Sequence, residues 1–216
     1  MISIMIINYL GHSCFKLRGK SKTVVCDPFA KSIGFLMPKT KADVVTISHN
    51  HEAHSALDRV EGEPFVVQGP GEYEIGGVFV YGWLSWHDNK KGEERGKNTI
   101  YNINFDGLKI CHLGDLGHML GDKILEEISG VDVLMFPAGN ESTISPKEAI
   151  ELIEKIDPKI AIPMHFRTPA HSTAYDKYST VDDFIAQWNR KVITEDKLNT
   201  DQVDEQEECQ LVVLKI

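Results

Sequence analysis

A cluster of three histidines is the strongest constraint on how this chain folds. His49, His51 and His54 fall within residues 48–54 (SHNHEAH), directly after the short apolar run 44–47. Core packing does not explain three imidazoles so close together at the end of a strand, whereas neutral imidazole is a common ligand of transition metals. We therefore expect a fold in which these side chains converge on a metal ion. The alternative is three surface histidines in a polar loop.

Composition and charge describe an ordinary globular protein. The 216 residues are 42% hydrophobic and 25% charged, which predicts a single domain spanning residues 1–216. The net charge of -9 does not favour attraction to nucleic acid or to an anionic membrane. We therefore predict a small-molecule substrate, with neither nucleic acid nor membrane as a partner. The sequence leaves a homo-oligomer open.

The cysteines and the start of the chain indicate a reducing compartment. The four cysteines form no close pair, and each lies in or beside an apolar run, which is typical of buried free thiols. Residues 1–7 lack a basic stretch and are too short to span a bilayer, so they are interpreted as part of a first strand. These features predict a cytoplasmic protein.

Strands dominate the first half of the chain, and strands alternate with helices in the second. The pattern around residue 145 is typical of a helix start, because Ser145 can cap the helix, Pro146 suits its first position and Glu148 completes a capping box. Residues 195–208 are acidic and predict a loose segment. Strands are predicted at 1–9, 13–17, 23–26, 43–47, 65–68, 73–75, 78–81, 100–105, 108–113, 131–136, 160–164 and 211–216. Together these elements predict two sheets packed face to face with helices outside, and a site at the edge where strand ends meet.

Three further candidate ligands also follow predicted strands. His87 comes after the apolar segment 78–86, Asp115 follows strand 108–113, and His165 comes at the end of strand 160–164. Alone, His87 would be interpreted as an ordinary loop histidine and Asp115 as a turn residue. As a set with the histidine cluster, they supply several imidazoles, a carboxylate and no thiolate, which suits a first-row metal.

The ordered set of candidate ligands resembles the metallo-β-lactamase superfamily. Its nearest branch is that of small cytosolic metal-dependent hydrolases related to ascorbate-6-phosphate lactonase and to phospholipase D-like members. The resemblance covers about residues 5 to 170. It rests on His49, His51, His54, His87, Asp115 and His165, with supporting segments at 9–12 (YLGH), 27–29 (DPF), 69–73 (GPGEY), 114–115 (GD) and 162–165 (IPMH).

The resemblance implies an αββα sandwich with two metal positions. It assigns His49, His51 and His87 to the first ion. It assigns His54 and His165 to the second, with Asp115 bridging the two. The implied metal is zinc, as one or two ions, with manganese or iron as alternatives.

This chain departs from the family motif H-x-H-x-D-H at one position, because Ala53 stands where the motif has an aspartate. A methyl group cannot bind a metal, so the second position loses one carboxylate. Glu52 could substitute, although neighbouring side chains on an extended segment diverge. The alternatives are occupancy of the first position alone, two ions with the second weakly bound, or no catalytic metal. Restoring the carboxylate with Ala53→Asp is expected to raise metal affinity at the second position.

The resemblance also implies a mechanism. A bound divalent metal lowers the pKa of its water from ~15.7 toward ~7, and the resulting hydroxide attacks an acyl or phosphoryl centre. The catalytic residues are expected to be Asp115, His165 and His12, the last two stabilising the developing oxyanion. Asp27 is expected to hydrogen-bond a metal-binding histidine or the motif loop.

Two main functional readings remain at this point. The first is a hydrolase of a small, anionic ester, lactone or phosphodiester. The second is a degenerate member that binds metal or ligand without efficient turnover, and Ala53 is the feature that favours it. Redox chemistry at a di-iron centre is a weaker third reading, because that branch needs more carboxylate in the motif.

Overall fold

The computed structural model of the chain describes residues 5–205 and 208–216. Three α-helices lie within these residues: α1 is Asp122–Ile128, α2 is Pro146–Ile156 and α3 is Val181–Ile185. The strands, in chain order, are β1 Ile6–Gly11, β2 Cys14–Arg18, β3 Thr23–Cys26, β4 Thr40–Lys41, β5 Val44–Ile47, β6 Val60–Glu61, β7 Phe65–Gln68, β8 Gly71–Ile75, β9 Val78–Trp86, β10 Lys97–Phe105, β11 Leu108–His112, β12 Val133–Pro137, β13 Ile160–Met164, β14 Val192–Glu195, β15 Leu198–Asn199 and β16 Gln210–Leu214.

Two mixed sheets form the sandwich. In the described residues, the first sheet has the order β15-β1-β2-β3-β5-β7, and the second has the order β14-β16-β13-β12-β11-β10-β9-β8. A short pair, β4 and β6, stands apart from both. Strands β3, β5 and β7 run parallel, as do β11, β12 and β13, so their carboxyl ends reach one edge of each sheet.

The main core lies between the sheets. It contains buried side chains of both, such as Phe15 and Leu17 from the first sheet and Ile103 and Met135 from the second. The outer face of the second sheet is covered by α1 and α2, whereas that of the first is covered by short 3₁₀ turns and loop residues, including Ile33. The predicted αββα class is confirmed, with one of its helical layers much thinner than the other.

Local sequence signals account for several of these elements. The capping box at Ser145 is present, and α2 buries one apolar face while Asp157 ends it in the left-handed region. Turns at residues 18–21, 76–77 and 106–107 join β2 to β3, β8 to β9 and β10 to β11 as hairpins. Strand β5 is buried on both faces, as its apolar sequence predicts.

Two expectations need revision. The first strand begins at Ile6, and the predicted part at 1–4 lies outside the described residues. The prediction of a loose segment at 195–208 is wrong for β15 and the 3₁₀ turn Thr200–Glu205 that follows it. Leu198 is buried and pairs with Ile7, so β15 closes the first sheet. In the described segments, none of the helices combines the length and the apolar character needed to cross a bilayer.

Candidate metal centre

The candidate ligands lie in loops that leave the carboxyl ends of neighbouring strands. The histidine cluster follows β5, His87 follows β9, Asp115 follows β11 and His165 follows β13. His12 joins them from the turn between β1 and β2. The edge predicted from the sequence is therefore where the structure brings these side chains together.

Asp115 lies at the centre of the cluster. One of its carboxylate oxygens, Oδ2, faces the Nε2 atoms of four histidines, and its other oxygen is buried without a hydrogen-bond partner among the described residues. The residue is 2% exposed, so solvent does little to stabilise its charge. The distances from Oδ2 to Nε2 are 3.1 Å for His54, 3.1 Å for His165, 3.3 Å for His87 and 3.9 Å for His49.

The position of Asp115 depends on a buried asparagine that no sequence pattern predicts. Asn98 accepts a hydrogen bond from the Asp115 backbone N–H at 3.0 Å and donates one to the Leu113 carbonyl at 2.8 Å. Between them, Gly114 has φ +57, and a Cβ there would lie 2.3 Å from the Asn98 amide oxygen. This turn therefore requires glycine, and it directs Asp115 into the cluster.

A second buried carboxylate fixes the orientation of His54. Asp27 lies 2.9 Å from His54 Nδ1, and it also accepts hydrogen bonds from the Ser48 backbone N–H at 2.8 Å and the Ser48 hydroxyl at 2.6 Å. The hydrogen bond expected from Asp27 to a histidine of the motif is therefore confirmed. Because Nδ1 donates to a carboxylate, Nε2 is the nitrogen that can bind a cation once it is deprotonated.

The donor set fits a divalent transition metal. Three groups have ligand atoms within 4.8 Å of one another, namely His12–His54–His165, His49–His51–His54 and His49–His87–Asp115. The resemblance assigns His49, His51 and His87 to the first ion, but these three do not form one of the groups found in the described residues. His49 belongs to one group with His51 and to another with His87. Imidazoles gathered around a buried carboxylate oxygen are the donors that zinc and its neighbours prefer.

Electrostatics keeps part of this cluster neutral. Burial lowers the pKa of His49 to about 3, with repulsion from His54 in the same direction. Burial and the neighbouring His165 also hold the pKa of His12 well below its ordinary value. Burial would raise the pKa of Asp115, but His165 and His54 outweigh it and keep the pKa well below the usual range. The carboxylate is therefore charged, and two of the imidazoles offer lone pairs at neutral pH.

His54 is the exception. Burial acts to lower its pKa, but the carboxylates of Asp115 and Asp27 outweigh burial and raise the pKa to about 10. Because the folded-state pKa lies above the unfolded value, this group stabilises the metal-free protein fully below about pH 6.5. That contribution is lost as the pH rises toward 10.

A proton on His54 predicts a measurable exchange when metal binds. At about pH 6 the metal-free protein carries this proton, and a metal ligand must be deprotonated, so zinc binding is expected to release at least about one proton. Titration calorimetry in buffers of different ionisation enthalpy measures this number. A binding enthalpy that does not depend on the buffer would contradict the prediction, and a variant of a histidine outside the cluster, His118→Gln, is expected to release as many protons as the unmodified chain.

A structured loop carries His87. Asp88 is buried, and its carboxylate accepts hydrogen bonds from the backbone N–H groups of Lys90, Gly92, Glu94 and Arg95 at 2.8, 2.8, 3.1 and 2.8 Å. The loop at 88–96 is thus built around one side chain. A Cβ on Gly117 would lie 2.4 Å from the Asp88 nitrogen, so glycine at 117 lets the two loops approach.

A cavity of about 310 Å³ opens above the cluster. Ala53 lies in its wall and is buried, as are His12 and Asp115. Its other lining side chains are aromatic, polar or basic and include Tyr175, Tyr178, Ser142 and Arg95. Arg95 also lines an adjacent cleft of about 410 Å³. None of these four residues is predicted from the sequence, because lone tyrosines, serines and arginines in loops carry no spacing signal.

Other residues that could have formed part of a site are engaged elsewhere. His112 is buried, with its Nε2 bonded to the Ser13 carbonyl, and Arg167 pairs with Asp176 at 2.7 Å. Glu52 is exposed and does not line the cavity in the described structure. The structure therefore does not bring the carboxylate beside Ala53 into the cluster.

Comparison with known proteins now identifies the class to which this fold and site belong. Residues 6–165 match the family model of the beta-lactamase superfamily domain. The chain belongs to the metallo-β-lactamase superfamily.

Individual proteins that are similar to this chain support the same family assignment. The chain is 34% identical to a Thermotoga maritima protein described as a zinc-dependent hydrolase of this superfamily; their structures align with a TM-score of 0.80 over 98% of this chain and 100% of that one. It is 30% identical over 200 residues to the UPF0173 metal-dependent hydrolase of Methanopyrus kandleri, covering 76% of this chain and 85% of that protein. A metallo hydrolase from Ignicoccus hospitalis, 18% identical with a TM-score of 0.62 over 85% of this chain and 90% of that one, shares the fold.

Proposed function

We propose that this protein is a metal-dependent hydrolase of a small, anionic ester, lactone or phosphodiester. The observation that carries the proposal is the Asp115 carboxylate oxygen, which faces four histidine nitrogens at 3.1–3.9 Å beneath an open cavity. The family relationship and the names of the relatives support the same chemistry. The metal ligands would be His49, His51, His54, His87, Asp115 and His165, and zinc is the proposed ion, with manganese or iron as alternatives.

When bound, a divalent ion lowers the pKa of a coordinated water and so supplies a nucleophile at neutral pH. The residues of this chain would position the reaction. Asp115 would be shared between the two metal positions, and the hydrogen bond from its backbone N–H to the buried Asn98 side chain keeps the residue in place. His165 and His12 form the cavity wall next to the reacting centre, and their rings are 4.4 Å apart. Tyr178 would exclude water on that side, since its ring lies 5.3 Å from His165.

Arg95 supports the proposal of an anionic substrate. Its side chain is exposed and lines both the cavity and the adjacent cleft, where Lys97 is a second cation. A guanidinium in this place can bind a phosphate or carboxylate with two parallel hydrogen bonds. A substrate would then place its reacting bond over the metal cluster and its remaining part in the cleft.

This role for Arg95 predicts a change in substrate binding. We expect Arg95→Ala to raise KM about 10-fold for an anionic substrate such as bis(p-nitrophenyl) phosphate, with kcat little changed, because one charge-assisted contact is lost. KM for neutral p-nitrophenyl acetate is expected to stay constant. Lys97→Ala, which removes a cation that lines the cleft alone, is the matched control and is expected to have a smaller effect. Equal effects on both substrates would argue against recognition of the anion.

The first test of the proposed function is elemental analysis of protein purified without chelator, followed by a panel of chromogenic phosphodiester, lactone and thioester substrates. We expect bound transition metal, turnover of at least one substrate class, loss of turnover after chelation and recovery on adding metal. Protein that takes up no metal would overturn the proposal. Tight metal binding without turnover of any substrate would favour the degenerate reading, which Ala53 supports by depriving the second position of a carboxylate.

We further propose that the chain acts as one domain, residues 1–216, in the cytoplasm. One core cluster contains buried side chains from both sheets, and the four cysteines, Cys14, Cys26, Cys111 and Cys209, are free, with the first three buried. Burial raises the pKa of Cys26 to about 12, so this thiol is unreactive at neutral pH. Free thiols of this kind are typical of a reducing compartment.

A further inference from the structure

His12 is the cavity residue whose role is least constrained by the sequence. It is 1% exposed, and its ring centroid lies 4.4 Å from that of His165 and 5.1 Å from that of His54. A ligand nitrogen of each of these three residues lies within 4.8 Å of the other two. Three imidazoles at this spacing surround a volume that a single cation can occupy.

The ring of His12 lacks the hydrogen bonds of an ordinary buried histidine. Its Nδ1 atom is buried without a hydrogen-bond partner among the described residues. By contrast, both ring nitrogens of His112 are engaged, by the Ser13 carbonyl at 2.9 Å and the Gly114 N–H at 3.2 Å. A buried imidazole is normally satisfied on both sides, so an imidazole with an unpartnered nitrogen next to two candidate ligands is available to bind a cation.

The backbone holds this ring in place at a conformational cost. His12 has φ 54, in the left-handed region that non-glycine residues seldom adopt. Its carbonyl accepts hydrogen bonds from the Tyr9 hydroxyl and the His165 backbone N–H, both at 2.7 Å. These bonds fix the turn against the loop that carries His165, so the two imidazoles keep a constant separation.

Position 53 explains why another ligand is needed. Ala53 is buried in the cavity wall and offers no donor, and the neighbouring Glu52 side chain is exposed outside the cavity. We propose that His12 completes the second metal position together with His54 and His165, with Asp115 shared between the positions. This proposal rests on the proposed function and assigns to an imidazole the place that a carboxylate at residue 53 would take.

An imidazole ligand in place of a carboxylate changes both the charge and the metal preference of the second position. A neutral imidazole in place of a carboxylate leaves the loaded centre more positive by one charge, which strengthens attraction to an anionic substrate. The second position becomes richer in nitrogen, which favours zinc over magnesium or calcium, because those ions prefer oxygen.

Zinc stoichiometry tests the proposal without reference to activity. The metal-free protein and its His12→Asn variant are loaded with zinc and dialysed, and bound zinc is measured by elemental analysis and by competition with a chromophoric chelator. Asparagine suits the variant because it tolerates the left-handed region and is too short to reach the ion. We expect the unmodified protein to bind two ions, and the variant to bind the second at least about 100-fold more weakly, since even residues outside the coordination shell contribute 10–100-fold.

His171→Asn is the matched control. His171 also has a buried ring nitrogen without a partner, and its ring lies 5.7 Å from that of His12, but it belongs to none of the ligand groups in the described residues. This variant is expected to keep two ions. If it loses zinc as His12→Asn does, the effect is a general disturbance of the cavity and the proposal fails.

A rescue variant protects the test against simple misfolding. Ala53→Asp restores the absent carboxylate, so the double variant His12→Asn/Ala53→Asp is expected to regain the second ion. The proposal is overturned if His12→Asn binds two ions as tightly as the unmodified protein, if the double variant stays at one ion, or if the unmodified protein itself binds one. The proposed function is compatible with each of these results. An absence of zinc from the unmodified protein would contradict the proposed function itself.

Discussion

Replacing Asp115 by asparagine is expected to remove hydrolytic activity and to lower zinc affinity by more than about 100-fold, since weaker contacts outside the coordination shell already contribute 10–100-fold. The amide has nearly the shape of the carboxylate but lacks its charge. It would also place an NH₂ group, or at best a neutral oxygen, against the four histidine nitrogens that now face Oδ2 at 3.1–3.9 Å. The measurements are zinc content after dialysis and kcat/KM on whichever chromogenic substrate the unmodified protein turns over.

The control for Asp115→Asn is Asp106→Asn. Asp106 stands at the turn before β11, at the opposite end of the strand that leads to Asp115, and asparagine tolerates its φ of 52. This variant is expected to bind zinc and turn over substrate as the unmodified protein does. A variant at Asp115 that kept full metal content would remove the basis for the proposed centre.

The centre could be anticipated from the sequence for a physical reason. Imidazole and carboxylate side chains that follow apolar strands are brought together because the carboxyl ends of neighbouring parallel strands share an edge of the sheet. Asp115 lies 28 residues after His87 and 50 residues before His165 in the chain. Both histidines nevertheless face the Oδ2 atom of Asp115. Each follows a strand that ends at this edge, which is enough to bring the three side chains together.

The supporting residues could not be anticipated in this way. Asn98 matters because β10 pairs with both β9 and β11, which places its amide beside the turn before Asp115. Arg95 lies beside the cavity because Asp88 accepts hydrogen bonds from the backbone of the loop that carries it. Neither residue has a local pattern that distinguishes it from an ordinary polar residue, and the register between strands that gives it a role is a long-range property of the fold.

Composition was misleading at the end of the chain. The acidic stretch from 195 to 208 favours a solvated loop, but the short strand β15 lies at the end of the first sheet, where it pairs on one side only. Leu198 supplies the buried contact, and the Thr200 hydroxyl accepts a hydrogen bond from the Met5 backbone N–H at 2.9 Å. Two side chains were enough for tertiary pairing to override a weak local preference.

The second large effect is expected at Asp27, which does not reach the proposed ions. Asp27→Asn keeps the shape of the side chain, and its amide oxygen can still accept the hydrogen bond from the Ser48 N–H. The NH₂ group then replaces the oxygen that lies 2.9 Å from His54 Nδ1. Because that group donates, His54 would have to accept at Nδ1 and carry its proton on Nε2, the nitrogen that faces Asp115 at 3.1 Å. The lone pair needed for the metal would be lost.

Zinc affinity of Asp27→Asn is therefore expected to fall 10–100-fold, as found for partners that orient metal-binding histidines. The metal-free protein should also lose about 3 kcal/mol of unfolding free energy, because a buried, charged acceptor is removed from beside its partners. Chelator competition measures the first quantity and urea unfolding in the presence of chelator the second. Asp132→Asn removes a partly buried carboxylate 2.9 Å from the Lys159 ammonium group, before β12, and is the control expected to keep zinc affinity. If Asp27→Asn lost stability but bound zinc as tightly as the unmodified chain, Asp27 would support the loop and would not orient His54.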